Sequence, residues 1–118
     1  MYSKCTVFKT TNFIGKRWTL VILNELNKNP GVKRYSELKN SIIEITPKLL
    51  SLRLKELEKE GLISKQIDAS NFPIKCEYKL TDSGKDFIRI IQDMKEWALK
   101  WGLRNKVCEN TDCQKCTL

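Results

Sequence analysis

The sequence contains no histidine, which removes at once the usual general base and the commonest metal ligand. It also lacks a glycine-rich loop of the kind that cradles phosphates, and it shows no paired catalytic carboxylates. An enzymatic role is therefore not expected. Long apolar runs are missing too. The densest, Leu20-Val21-Ile22-Leu23, is far short of the ~20 residues that cross a bilayer. No apolar signal core opens the chain, so no membrane partner is expected and a cytoplasmic location is. Internal repeats and low-complexity stretches are absent. What is present is 118 residues with 22 Lys and Arg against 14 Asp and Glu, a formal charge of +8. That length suits one domain with a modest core, and the cationic excess favours a polyanionic partner.

The most informative stretch lies between Thr46 and Ile63. Thr46 can cap free amides with its hydroxyl, and Pro47 suits the first helical position, where a missing N–H costs nothing. Gly61 can take the left-handed conformation that ends a helix. Leu50, Leu54 and Leu57 recur at i, i+4, i+7 and form one apolar stripe. At about 100° per residue, Lys48, Leu52, Lys55 and Lys59 fall on the opposite side, with Ser51 at its edge. A helix buried on one face and cationic on the other suits a nucleic-acid reader. Two strand-like runs follow. The second, Ile74-Lys75-Cys76-Glu77-Tyr78-Lys79-Leu80, alternates with period two. Between them, Asp68-Ala69-Ser70-Asn71-Phe72-Pro73 is turn chemistry.

Helix, glycine, strand, turn and strand are the layout of a winged helix. Ordered motifs sharpen this. Cys5 stands near the start. Ile14-Gly15-Lys16-Arg17-Trp18-Thr19 opens a second helix, Arg34-Tyr35-Ser36-Glu37-Leu38 leads into a helix-turn-helix, and Glu77-Tyr78-Lys79-Leu80-Thr81-Asp82-Ser83-Gly84 leaves the wing. In these motifs and their spacing the chain resembles the HxlR family, small winged-helix transcription regulators related to the MarR type. The resemblance covers almost the whole chain. It implies a mainly α fold with a small β-hairpin wing (α+β), dimerising through its N- and C-terminal helices. Residues 1–106 would form the winged helix-turn-helix domain with its dimerisation helices, and residues 107–118 a cysteine-rich C-terminal tail.

Further helices are expected at residues 4–14, 18–26 and 35–41, the second apolar on nearly every side and so central to the core. Thr81 or Asp82 should cap a last helix running to about residue 103. Its Phe87, Ile91, Met94, Ala98 and Trp101 are spaced 4, 3, 4, 3, a coiled-coil-like seam that Ile90 and Trp97 widen. A second subunit accounts for this surplus apolar face; the alternative is that the helix folds back on its own domain.

A homodimer suits a pseudo-palindromic double-stranded DNA operator with half-sites roughly 34 Å apart. Lys48, Ser51, Leu52 and Lys55 are candidates for base contact: lysine can donate to guanine, serine can bond either way, and leucine can touch a thymine methyl. Arg53 lies to the side of the stripe and is a candidate for phosphate contact, as are Lys16, Arg17, Lys33 and Arg34 near helix starts. The plainer reading of Lys55 and Lys59, interleaved with Glu56 and Glu58, is a solvated face with i, i+4 pairs. The wing carries Asp68 and Asn71 at its tip and lysines only on its flanks, Lys65 and Lys75. A weak or phosphate-only wing is expected.

Five cysteines without a secretion signal read as thiols, sensors or metal ligands rather than a disulfide framework. Cys5 matches the N-terminal cysteine of many HxlR-type proteins, which the resemblance links to sensing oxidants, quinones or other electrophiles. A preceding lysine and a following helix start are surroundings of the kind that favour thiolates. The alternative is a small apolar residue packed at the dimer seam. Cys76, in phase with Ile74, Tyr78 and Leu80, is expected in the core. Cys108, Cys113 and Cys116 form C-x4-C-x2-C in a tail that the family pattern does not typify. Redox pairing, a metal site with these three ligands and a disordered tail with unused thiols stand side by side, the metal being the only cofactor to consider. A thiol oxidoreductase is not expected, because Cys113-Gln114-Lys115-Cys116 follows the last helix instead of lying within a βαβ unit. The function expected is a homodimeric, sequence-specific DNA-binding regulator controlled by cysteine chemistry. The alternatives are metal control through the tail and, from another class, a winged-helix protein-interaction module.

Overall fold

The computed structural model describes residues 2–70, 72–102 and 106–116. A 3-10 turn at Tyr2–Lys4 and helix α1, Thr6–Ile14, replace the single helix expected over residues 4–14, with Cys5 as the N-cap between them. Helix α2, Thr19–Asn27, buries Ile22, Leu23 and Leu26 completely and is the centre of the core. Helix α3 is Tyr35–Ser41 and helix α4 is Pro47–Lys59. The α4 cap forms as its chemistry requires: Thr46 Oγ1 accepts from the Leu49 amide at 3.2 Å, and Gly61 turns the chain at φ +82.

The wing strands are β2, Ile63–Asp68, and β3, Lys75–Leu80. A third strand, β1, Val32–Arg34, was not expected. It is only three residues long, too short to show an alternation, and exists because β3 offers it a free edge. The sheet is antiparallel in the order β1-β3-β2, with Val32 opposite Lys79 and Ile63 opposite Leu80. Leu62, Ile63, Tyr78 and Leu80 turn inward to meet Leu38, Ile45, Leu50, Leu54 and Leu57, so sheet and helices share one core.

Helix α5, Asp82–Trp101, starts at Thr81, whose hydroxyl accepts from the Gly84 amide and donates to the Gly61 carbonyl. A Cβ on Gly84 would collide with the Leu62 carbonyl, so the missing side chain allows α5 to lie against the link between α4 and β2. The seam read from the sequence is divided in two. Gly84, Ile88 and Ile91 are buried, with Phe87 packed beside them, all against the chain's own core. Ile90 is exposed beside them, and past Ile91 so are Met94, Trp97 and Trp101, Met94 at 47% and Trp97 at 66%. Self-packing thus accounts for the first half of α5 only. A short helix α6, Lys106–Asn110, and a 3-10 turn at Cys113–Lys115 complete the described chain. No helix among the described residues is long and apolar enough to cross a membrane.

Candidate nucleic-acid interface

Helix α4 presents the two faces its pattern predicts. Leu50, Leu54 and Leu57 are buried, while Lys48, Leu52, Lys55 and Lys59 are exposed, Leu52 at 48%. A half-exposed leucine between two free-standing lysines is costly in water, but it fits a surface of sugars, methyl groups and phosphates. Ser51 is half-buried, with its hydroxyl 3.5 Å from the Tyr35 hydroxyl. Tyr35 in turn donates to the Pro47 carbonyl at 3.0 Å. That chain ties the start of α3 to the start of α4, so the angle between the two helices is set by hydrogen bonds as well as by packing.

Arg53, to the side of the stripe, is held by one partner far away in sequence and one close by. Its Nε donates to the Arg17 carbonyl at 2.9 Å and its Nη1 to Glu56 Oε1 at 2.7 Å, with a side chain only 13% exposed. Glu56 also pairs with Lys16. Burial raises the Glu56 carboxyl, but hydrogen bonds from Lys16 and Arg53, and then their charges, outweigh it and hold its pKa below the usual glutamate range. The group clamps the α1–α2 link onto α4. That link holds Trp18 at φ +78, a left-handed backbone that bulky residues avoid. The Arg17 guanidinium stacks 5.1 Å from the centre of the Trp18 ring, and the Arg53 bond fixes the adjoining peptide. Nothing in the local sequence announced this clamp, because its members lie about forty positions apart.

Lys33 is corrected outright as a phosphate candidate. It lies in β1 with 7% exposure, and its ammonium donates to the Lys28 carbonyl at 2.6 Å. Its pKa is lowered, chiefly by desolvation, against the pull of Glu25 and Glu37 and with help from Lys28. Arg34 and Arg17 are exposed, and Arg34 spends its backbone N–H on Glu37 Oε1 at the start of α3, leaving the guanidinium outside. In the wing, Ile67, Phe72 and Ile74 are exposed, and Lys65 sits 6.0 Å from the Tyr78 ring centre.

None of the five cysteines is in a disulfide. Cys5 is exposed at the N-terminus of α1. Cys76 is half-buried against the core beside Tyr78, whose phenol is pushed up to about 12 by burial and then by a hydrogen bond to Cys76. Cys108, Cys113 and Cys116 are half-buried within α6 and the turn that follows. Among the described residues no three Cys, Asp or Glu side chains gather as a metal would need, so the metal reading of the tail draws no support from this geometry.

The HxlR-like helix-turn-helix model matches residues 13–106. The chain belongs to the HxlR family. Relatives agree. The HTH-type transcriptional regulator YdzF of Bacillus subtilis is 40% identical over 93 residues, covering 79% of this chain and 84% of YdzF. The reduced form of the transcriptional regulator YodB from B. subtilis superposes with a TM-score of 0.73 at 31% identity, over 86% of this chain and 97% of that one. The redox regulator HypR in its oxidised form gives 0.68 at 32% identity, over 81% and 96%. Like other HxlR-type proteins, this one is a DNA-binding transcriptional regulator and not an enzyme, which sets aside the interaction-module alternative. Its mostly helical fold with a small three-stranded antiparallel sheet is the winged helix of MarR-like regulators.

Proposed function

We propose that this HxlR-type regulator acts in the cytoplasm as a homodimer, reads a pseudo-palindromic operator through α4, and responds to oxidants or electrophiles at Cys5. The observation that carries the DNA half is the outward row Lys48, Leu52 and Lys55, exposed on a helix whose opposite face is locked into the core. Support for the dimer comes from the unfilled half of α5. Ile90, Met94, Trp97 and Trp101, together with exposed Val7 and Phe8 of α1, are too much apolar surface for a monomer to leave in water.

Support for thiol control is the accessible position of Cys5 at the start of α1, a helix that continues through Gly15 into the Lys16–Glu56–Arg53 clamp on α4. A change at Cys5 thus has a short covalent and ion-paired route to the reading helix. Among the relatives, YodB is known in reduced and quinone-bound forms. The test is duplex binding by wild type and Cys5→Ser before and after a quinone or diamide. Wild type should release its operator and Cys5→Ser should hold it. Equal release by both proteins would move control away from Cys5.

A further inference from the structure

The tail is folded back and held at both sides. Lys95 of α5 donates to the Thr111 carbonyl at 3.0 Å and contacts Cys113 Sγ at 3.7 Å. On the other side the Asn29 amide, just past α2, donates to the Gln114 carbonyl at 3.3 Å. Asp112 caps the turn by accepting from the Gln114 amide at 3.0 Å. The turn therefore bridges α5 to the α2–β1 loop, from which the strand and helix leading to the DNA-reading face depart. Within it the Cys116 amide donates to the Cys113 carbonyl at 3.4 Å. At a rise of ~2.0 Å per residue, 3-10 geometry sets residues three apart at about 6 Å between Cα atoms. That is inside the ~4.4–6.8 Å span of disulfides. Cys116 also lines an open cavity of about 500 Å³ with Glu25, Lys28, Lys33 and Lys115, so this side of the turn is open to solvent.

We propose that Cys113 and Cys116 form an intrachain dithiol that a hydroperoxide closes to a disulfide, and that the closed form locks the tail onto the α2–β1 loop. The Cys113 sulfur, 3.7 Å from the Lys95 ammonium, attacks the peroxide O–O bond and gives up its proton to the departing oxygen. Sulfur takes one oxygen as sulfenic acid and the second leaves as alcohol or water. The Cys116 thiol then attacks that sulfur, the S–S bond forms and water departs. Two thiols and one hydroperoxide give one disulfide, one alcohol and one water. Because the turn already spaces the two Cα atoms within disulfide reach, closure keeps the Gln114 carbonyl in place and removes the freedom of the turn to open. The site does not depend on Cys5.

The experiment uses full-length Cys5→Ser protein treated with a stoichiometric hydroperoxide. Mass spectrometry should find a chain lighter by two hydrogens, with one peptide joining Cys113 to Cys116. Cys116→Ser should stop at a sulfenic acid that a dimedone probe traps on Cys113. Hydrogen exchange at the Asn29 amide should slow severalfold on oxidation, and not in Cys116→Ser. A bond to Cys108 or to another chain, both thiols still open to alkylation after treatment, or unchanged Asn29 exchange in the closed form would each overturn the proposal.

Discussion

At the scale of single residues, position along a helix and role in the folded chain part company at Arg53. Lys48 and Lys55 stand free on the outer face of α4, whereas Arg53 is held by the Arg17 carbonyl and Glu56. Lys48→Ala and Lys55→Ala are expected to leave stability within ~0.5 kcal/mol while each costs on the order of 1–3 kcal/mol at the specific operator. Paired thermal melts and titrations check this. Arg53→Ala should do the reverse first, destabilising the fold by about 1–3 kcal/mol as a half-buried charged hydrogen bond is lost. Glu56 adds a pH signature. Its folded pKa lies below the ordinary 4.5, so its contribution is fully present above that value and is lost as pH falls through the depressed folded value. Thermal melts down the acid limb should show the gap between wild type and Glu56→Gln closing over that window; a gap constant with pH would contradict it.

At the scale of elements, α5 does two jobs with two halves. Its first turns need Gly84 against the Leu62 carbonyl and bury Ile88 and Ile91; its last turns keep Met94, Trp97 and Trp101 outside. Gly84→Ala should therefore lower the melting temperature through overpacking of about 1–3 kcal/mol. Met94→Asp should barely change the monomer's own packing, yet dissociate the proposed dimer by placing a charge in its interface. Analytical ultracentrifugation of the two variants separates these effects, and a dimer unaffected by Met94→Asp would remove α5 from the interface. The wing is a contrasting element. Its exposed Ile67, Phe72 and Ile74 stand where a DNA-gripping wing would carry arginines, so operator contact there is expected to be weak.

At the scale of the whole molecule, the proposed dimer would hold two copies of α4 by one interface, as a ruler. Inserting about five base pairs, half a turn, between the half-sites of a selected operator should abolish tight binding, because the second helix would face the wrong side of the duplex. Restoring a full turn should recover part of it. Binding by a chain of charge +8 should also fall steeply with salt. A fragment selection followed by spacing variants measured at two salt concentrations tests both expectations together.

The local order of the chain was legible because its signals are local. Thr46, Pro47 and Gly61 bound α4, the leucine stripe orients it, and the alternation from Ile74 to Leu80 marks the second wing strand, each within a few residues and each set by backbone geometry or water. Ordered motifs along the chain were enough for the family. The tertiary structure alone decided what depends on partners distant in sequence. Strand β1 forms only because β3 offers it an edge. Lys33 is buried because that strand turns it inward, and Arg53, to the side of the α4 stripe, has its donors engaged by Arg17 and Glu56. The periodic seam of α5 could not reveal which half meets the chain's own core, since an apolar stripe reads the same whether its neighbour is the same chain or another. Three tail cysteines likewise do not reveal in sequence which of them share a turn; the folded chain puts Cys113 and Cys116 at the two ends of one. Composition and periodicity determine which surfaces avoid water; only the folded chain determines what meets them.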